Sequence, residues 1–542
     1  MRAMNMTNTI SKTQLLLALT VALALFLTPA AFAAAPGITG PTFDLTAQAA
    51  FISQPDGQSV YSWGYGCNGA PTGYAPSAIG GTFCNTMQLP GPTLIVTEGS
   101  AVTVTLHNNL PVSAGNTSIL FPGFNVTTSG GVAGLLTREA APGGTVIYTL
   151  TASSVTPGTR AYYSGTQGDL QVEMGLYGAI IVLPAATPAT CTSGVAASND
   201  AARSHWLESD FRLAKAAYNN PQACYDREYL FQFSEMDPAI HRAAEEQVAI
   251  AAPICATSAT APGCSLNVPT EPYHPAYFMI NGRSMPDNMD PNYAVQYPHQ
   301  PYNGNPHMHP GELTLLRVIG TGRWQHPFHE HGNHVRILAR DGNLILTPDG
   351  NALAGPLMFT TTTTPGLAMD GIFYWTAKGL NWDAYGHNPA STDPSAKLPC
   401  TPDANGYNTS APNAINYYEW CQDHDKPLQV APFGDVAGGG PATLPDPNLF
   451  ANGAWFGGSP YLGPDATTRA TYGACDSTGN CSTTGTTPPS GTIANNPSTE
   501  AGFAFMWHSH NEREITTNNI FPGGMLMMML VDSREFQINE SN

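Results

Sequence analysis

His326-Pro327-Phe328-His329-Glu330-His331-Gly332 and, far downstream, Met506-Trp507-His508-Ser509-His510-Asn511-Glu512 are the two stretches on which the reading of this chain turns. Each carries a His-x-His pair. In a β-strand, residues i and i+2 point to one face, roughly 6–7 Å apart along it. His329 and His331 therefore share a face, as do His508 and His510. Two such strands side by side converge four imidazoles. Neutral imidazole suits Cu(II), Ni(II) and Zn(II); without several carboxylates, Ca(II) and Mg(II) are poor candidates. Glu330, His334, Glu512 and Glu514 lie nearby in sequence, and Glu330 and Glu512 either orient the imidazoles or face solvent. A second alternating pair, His307 and His309, sits between Pro306 and Pro310 and reads as a solvated turn.

The sequence around these arms is that of a β protein. Residues 94–106 alternate, with Val102, Val104 and Leu106 on one face, and Asn108-Asn109-Leu110-Pro111 ends the run. Further strands are predicted at 145–151, 178–183, 229–233, 311–319, 334–340, 370–377, 503–510 and 525–531. The pattern divides into a first β-domain at 44–185, a linker at 186–224 with a helical patch at 201–217, and a second domain at 225–540. Within the second domain, residues 387–499 are rich in Pro, Gly, Thr, Asn and Ser and read as a disulfide-pinned insertion, with a third domain as the competing reading. Met525, Met527, Met528 and Met529 read either as soft metal ligands or as a final strand buried on both faces.

Charged residues make up only 11% of the 542 residues, which favours a loop-rich, all-β secreted protein. With 20 basic and 39 acidic residues the formal charge is −19, so nucleic acid and anionic membrane surfaces are excluded as natural partners. Arg2 and Lys12, the apolar run at 15–27 and Ala31-Phe32-Ala33 read as a signal peptide over residues 1–33, the alternative being an uncleaved anchor. No membrane span is expected after cleavage, and the mature protein is expected to be secreted or periplasmic. Ten cysteines fit disulfides in such a compartment, sequential pairing being plausible for Cys255 with Cys264 and Cys475 with Cys481.

The two histidine stretches, with Leu89-Pro90-Gly91-Pro92-Thr93-Leu94, residues 103–111, Gly175-Leu176-Tyr177-Gly178-Ala179-Ile180-Ile181-Val182 and Phe278-Met279-Ile280-Asn281-Gly282-Arg283, resemble the multicopper oxidases. The resemblance implies an all-β fold of tandem cupredoxin-like Greek-key β-sandwiches and copper as cofactor. It places His329, His331, His508 and His510 at positions that bind a copper cluster, and His326 at a blue-copper position. The departures are as informative. The family's His-Cys-His motif here has Ser509 for the cysteine, and Glu514 stands where another blue-copper histidine belongs. A hydroxyl cannot replace a soft thiolate. The first-domain histidine motifs are replaced by Leu120-Phe121-Pro122-Gly123 and Tyr162-Tyr163-Ser164-Gly165.

These residues predict a metal site of His326, His329, His331, His508 and His510, with Glu514 or Glu512 as a catalytic proton relay. Laccase-type reduction of oxygen to water needs both copper centres and is not expected. Three functions fit: a copper-dependent oxidoreductase acting on oxygen, peroxide or a small-molecule reductant; a protein that sequesters copper; and a structural surface protein on a degenerate scaffold. An oligomer in which a neighbouring subunit completes the half-site also fits.

Overall fold

The computed structural model describes residues 35–75, 84–192, 199–200, 210, 212–378, 399–412, 414, 416–424, 458–462, 493–494, 501–532 and 538. The expected signal peptide, Cys475 and Cys481, and most of the 387–499 segment lie outside these residues.

The first domain is a sandwich of two five-stranded sheets. One runs Ser59–Cys67, Thr42–Ser53, Val102–Asn108, Thr145–Leu150, Val126–Gly130; the other runs Gly158–Tyr163, Tyr177–Leu183, Leu94–Thr97, Gly37–Thr39, Tyr74–Ala75. The alternation in Val102–Asn108 sets which face is inside. Val102, Val104 and Leu106 are fully buried against Trp63, Tyr65 and Tyr148, while the threonines between them are half-buried. Several sheet neighbours are far apart in sequence, with Thr42–Ser53 beside Val102–Asn108 and Leu94–Thr97 beside Tyr177–Leu183, so connections cross over between the sheets, as in a Greek key.

The second domain repeats this topology. Tyr277–Ile280, Arg227–Met236, Leu313–Gly320, Ala368–Tyr374 and Val335–Arg340 follow one another in one sheet. The other runs His307–Met308, Leu526–Asp532, Ala501–Ser509, His326–Glu330, Thr360–Thr363, with Gly458–Leu462 also paired to Ala501–Ser509. In both domains the second strand of the first sheet lies parallel to the third: Thr42–Ser53 on Val102–Asn108, and Arg227–Met236 on Leu313–Gly320. The core of the second sandwich holds Phe231, Phe233, Phe328, Phe505, Trp507, Met525, Met527 and Met529. Those three methionines are fully buried, so the final strand is a packing strand rather than a row of metal ligands.

Three sequence expectations differ from the structure. Residues 212–217 of the predicted helical patch form bends and a bridge from Ala216 to Cys224, not helix, and 201–209 lie outside the described residues. An unanticipated helix, Pro238–Cys255, starts where the Asp237 carboxylate accepts the Ala239 N–H and Pro238 supplies a helical φ. It packs Ile240 and Ala244 into the first domain's core. His307 and His309 are buried, not solvated; His307–Met308 is a strand parallel to Leu526–Asp532, which gives its backbone sheet partners. Disulfides Cys67–Cys84, Cys191–Cys224, Cys255–Cys264 and Cys400–Cys421 follow the sequential pattern.

The domains pack through opposite-facing sheets. Ala161, Ala179 and Ile181 of the first domain meet Leu230, Ile319 and Ala368 of the second. Asp370 joins them, accepting from the Thr159 hydroxyl at 2.6 Å and from Tyr218. Arg317, fully buried, pairs with Glu228 at 2.7 Å and donates to Thr159 Oγ1 at 3.0 Å. No helix among the described residues is long and apolar enough to cross a membrane.

Candidate metal centre

Strands His326–Glu330 and Ala501–Ser509 pair antiparallel, with His329 opposite His508, Phe328 opposite Ser509 and Glu330 opposite Trp507. Opposed residues in such a ladder share a face. Phe328 and Trp507 enter the core, so His329, His331, His508 and His510 project from the other, outer face. Each histidine arm thus takes its direction from its apolar neighbour: burying Phe328 and Trp507, about 1.5–3 kcal/mol apiece, leaves the histidines no other side. That outer face belongs to the sheet that does not meet the first domain.

The four rings gather closely. Centroids lie 4.6 Å apart for His329 and His331, 5.0 Å for His329 and His510, 5.2 Å for His331 and His508, and 5.6 Å for His508 and His510. His331 Nε2 and His508 Nε2 stand 3.1 Å apart. Two bonds of about 2.0 Å from one tetrahedral ion span roughly that separation. His508 Nδ1 donates to the Ser509 carbonyl at 2.7 Å, so the neutral ring carries its lone pair on Nε2, towards His331. His329 Nδ1 bonds Thr360 Oγ1 at 2.6 Å. These contacts hold the rings as oriented imidazole ligands are held. Burial and the neighbouring rings push the His329 pKa down to about 4, and burial also lowers that of His508. His329 and His508 are buried, His331 is half-buried and His510 is exposed, so the cluster opens to the surface on one side.

The donor set fits copper in kind, and the nitrogens are paired rather than converged. Among the described residues the only three ligating atoms mutually within 4.8 Å belong to Cys400, Glu419 and His424, and Cys400 is spent in its disulfide with Cys421. The four histidines therefore present a two-nitrogen seat at His331 and His508, flanked by His329 and His510.

The remaining predicted site residues go elsewhere. His326 is not with the cluster: it points into the sandwich, fully buried, with Nδ1 2.8 Å from Glu514 Oε2 and Nε2 2.9 Å from Glu235 Oε2. With both ring nitrogens bonded to carboxylates, it offers no lone pair to a metal. Ser509 donates to the same Glu514 oxygen, so the position where the family's cysteine stands is filled by a hydroxyl–carboxylate–imidazole chain. Burial opposes charge on His326, but the hydrogen bonds and charges of Glu235 and Glu514 outweigh it and raise its pKa to about 9. It is an imidazolium at neutral pH. Glu514 is buried in this network, while Glu512 is exposed. Glu330 faces the interior, accepts from Thr361 Oγ1 at 2.9 Å and is pushed up to about 8 by burial, so it does not orient the cluster. His334 packs edge-on against Phe359, which also touches His329. Glu235 and Glu173 were not legible as site residues. Both are buried in apolar surroundings, and the one local signal is a glutamate inside an otherwise strongly apolar run at 229–236.

In the first domain Leu120 bridges Tyr163 antiparallel, so the runs 120–123 and 162–165 meet there without a histidine between them.

Residues 80–187 match the family model described as multicopper oxidase. That stretch is similar to multicopper oxidases. Among solved structures, the chain is similar to a blue copper oxidase from Nitrosomonas europaea, at 14% identity and TM-score 0.43, over 90% of this chain and 85% of that one. It is also similar to a copper nitrite reductase from Nitrosomonas europaea, at 18% identity and TM-score 0.36, over 62% of this chain and 84% of that one. A laccase from Botrytis aclada aligns at 18% identity and TM-score 0.36, over 62% of this chain and 47% of the laccase. No curated protein matches the chain.

Proposed function

We propose that the chain is an exported, copper-dependent oxidoreductase that works without a blue-copper centre. The observation that carries this reading is the set of four imidazoles on one sheet face, with the His331 and His508 nitrogens 3.1 Å apart. His331 and His508 would hold copper, with His329 and His510 beside them. Copper bound there would supply one-electron redox chemistry. The chain's own residues do the rest. The Ser509 carbonyl and Thr360 fix ring orientation, and burial keeps His329 neutral and able to ligate. Exposed His510 and half-buried His331 leave a side open to oxygen or a small reductant. That openness favours turnover over sequestration, which is served by a closed shell. Four disulfides among the described residues support an oxidising compartment.

The test is oxygen consumption with a small reductant by the copper-loaded protein, alongside its visible spectrum. The reading expects copper-dependent turnover, lost in His331→Ala, and no intense thiolate-to-copper band. Turnover that is equal in the copper-free protein, or unchanged in His331→Ala, would overturn it.

A further inference from the structure

The blue-copper position has been rebuilt from groups that carry protons. Ser509 Oγ donates to Glu514 Oε2, which lies 2.8 Å from His326 Nδ1. His326 Nε2 is 2.9 Å from Glu235 Oε2. Glu235 Oε1 accepts from the Tyr273 hydroxyl at 3.4 Å, and that hydroxyl lies 2.7 Å from Glu173 Oε2. The row is continuous, and Ser509, Glu514, His326, Glu235 and Glu173 are all buried. One end stops at buried Ser509, between His508 and His510 in sequence, where Glu514 Oε1 accepts from the Asn511 amide at 2.9 Å, a bond that holds the carboxylate and passes no proton; the other end reaches the surface. Half-buried Tyr273 lies under the Arg323 guanidinium, which pairs with exposed Glu271 at 2.7 Å.

We propose that Ser509, Glu514, His326, Glu235, Tyr273 and Glu173 form a proton-transfer line that crosses from Glu173 of the first domain into the second and ends at Ser509, between His508 and His510 of the histidine face. Its purpose rests on the oxidoreductase reading, because reducing oxygen consumes protons as well as electrons. In one passage the His326 imidazolium gives its Nδ1 proton to the Glu514 carboxylate; the neutral ring then turns over and takes a proton from Glu235, which receives one through Tyr273 from Glu173, and nothing changes oxidation state. Backbone N–H groups of Arg323 and Trp324 donate to Glu235 Oε1 at 2.6 and 2.8 Å, and that of Asp237 to Glu173 Oε1 at 2.6 Å, so the carboxylates stay fixed as protons pass. His241 closes the far side, with Nε2 bonded to the Glu173 carbonyl at 3.0 Å. Burial pushes Glu173 up to about 8, which suits a carboxyl that holds a proton at neutral pH. The row ends as transfer chemistry requires, in groups able both to give and to take a proton.

Two measurements separate this line from the copper reading. The first needs no metal: NMR of the histidine-15N-labelled full chain follows exchange of the His326 ring N–H protons with water. The line predicts exchange at least tenfold slower in Tyr273→Phe than in the parent protein, since Tyr273 is its surface end and Ser509 is buried. Equal rates in the parent and in Tyr273→Phe would overturn it. The second uses copper-loaded protein. Tyr273→Phe should keep its copper and its KM for the reductant, lower kcat, and change the pH profile of kcat. Loss of turnover in the parent would sink the oxidoreductase reading and leave the exchange result to decide the line.

Discussion

At residue scale, Ser509, Glu514 and His326 set the chemistry of one buried position. Ser509 and Glu514 stand where the resemblance to multicopper oxidases places a thiolate and an imidazole, and His326 is satisfied by two carboxylates. A buried cation between anions is costly to break. His326→Ala should destabilise the fold by roughly 3–5 kcal/mol, because Glu235 and Glu514 lose their counter-charge; chemical denaturation measures it, and a change below about 1 kcal/mol would contradict the ion-pair account. Acidity gives the sign of a second effect. His326 titrates at about 9 in the folded chain and near 6.5 when unfolded, and Glu173 at about 8 against 4.5. In both cases the folded state binds the extra proton. Glu173 loses its contribution between about pH 4.5 and 8 and His326 between about 6.5 and 9, so stability should fall most steeply between about pH 6.5 and 8 and level off above 9. Denaturation midpoints across that range check it, and Glu173→Gln should flatten the slope. Restoring the missing ligands is the converse experiment. Ser509→Cys with Glu514→His rebuilds a two-histidine, one-thiolate set with His326, and should bind copper with an intense visible thiolate band that the parent protein lacks; a colourless double variant would show that the buried position no longer accepts a metal.

At element scale, the strands were the legible part. Val102–Asn108 could be read from its alternation because one face is buried and the other is not. The facing of His329 with His331 and of His508 with His510 follows from strand periodicity, and their meeting follows from the pairing of His329 with His508. What escaped was burial of polar residues. Arg227–Met236 is buried along its whole length although it contains two glutamates, an arginine and a glutamine. Only long-range partners such as Glu312 for Arg227 and Arg317 for Glu228 make that tolerable, and these lie more than 80 residues away. His307 was misread for the same reason: its strand partner, Leu530, is over 200 residues downstream, and buried His309 follows directly after that strand. Helix Pro238–Cys255 had a usable signal in Asp237-Pro238 and the run of alanines and glutamates after it. Asp237→Ala should cost about 1–2 kcal/mol, since its carboxylate also accepts the His274 N–H.

At the scale of the whole molecule, two sandwiches of one topology serve different ends. The first has no His-x-His pair and packs on the second; the second carries its histidines on the face turned away. Asp370 ties the domains together through Thr159 and Tyr218, close to buried Arg317. Asp370→Ala should cost roughly 3 kcal/mol or more and split a single calorimetric transition into two, whereas one unshifted transition would show that the apolar contacts alone couple the domains. The central claim is that the outward histidine face is a copper site, and metal content tests it most directly. After copper loading and exhaustive dialysis, mass spectrometry of the protein should find copper retained by the parent and lost in His331→Ala and His508→Ala. A parent protein that retains no copper, or variants that retain as much as the parent, would contradict the account.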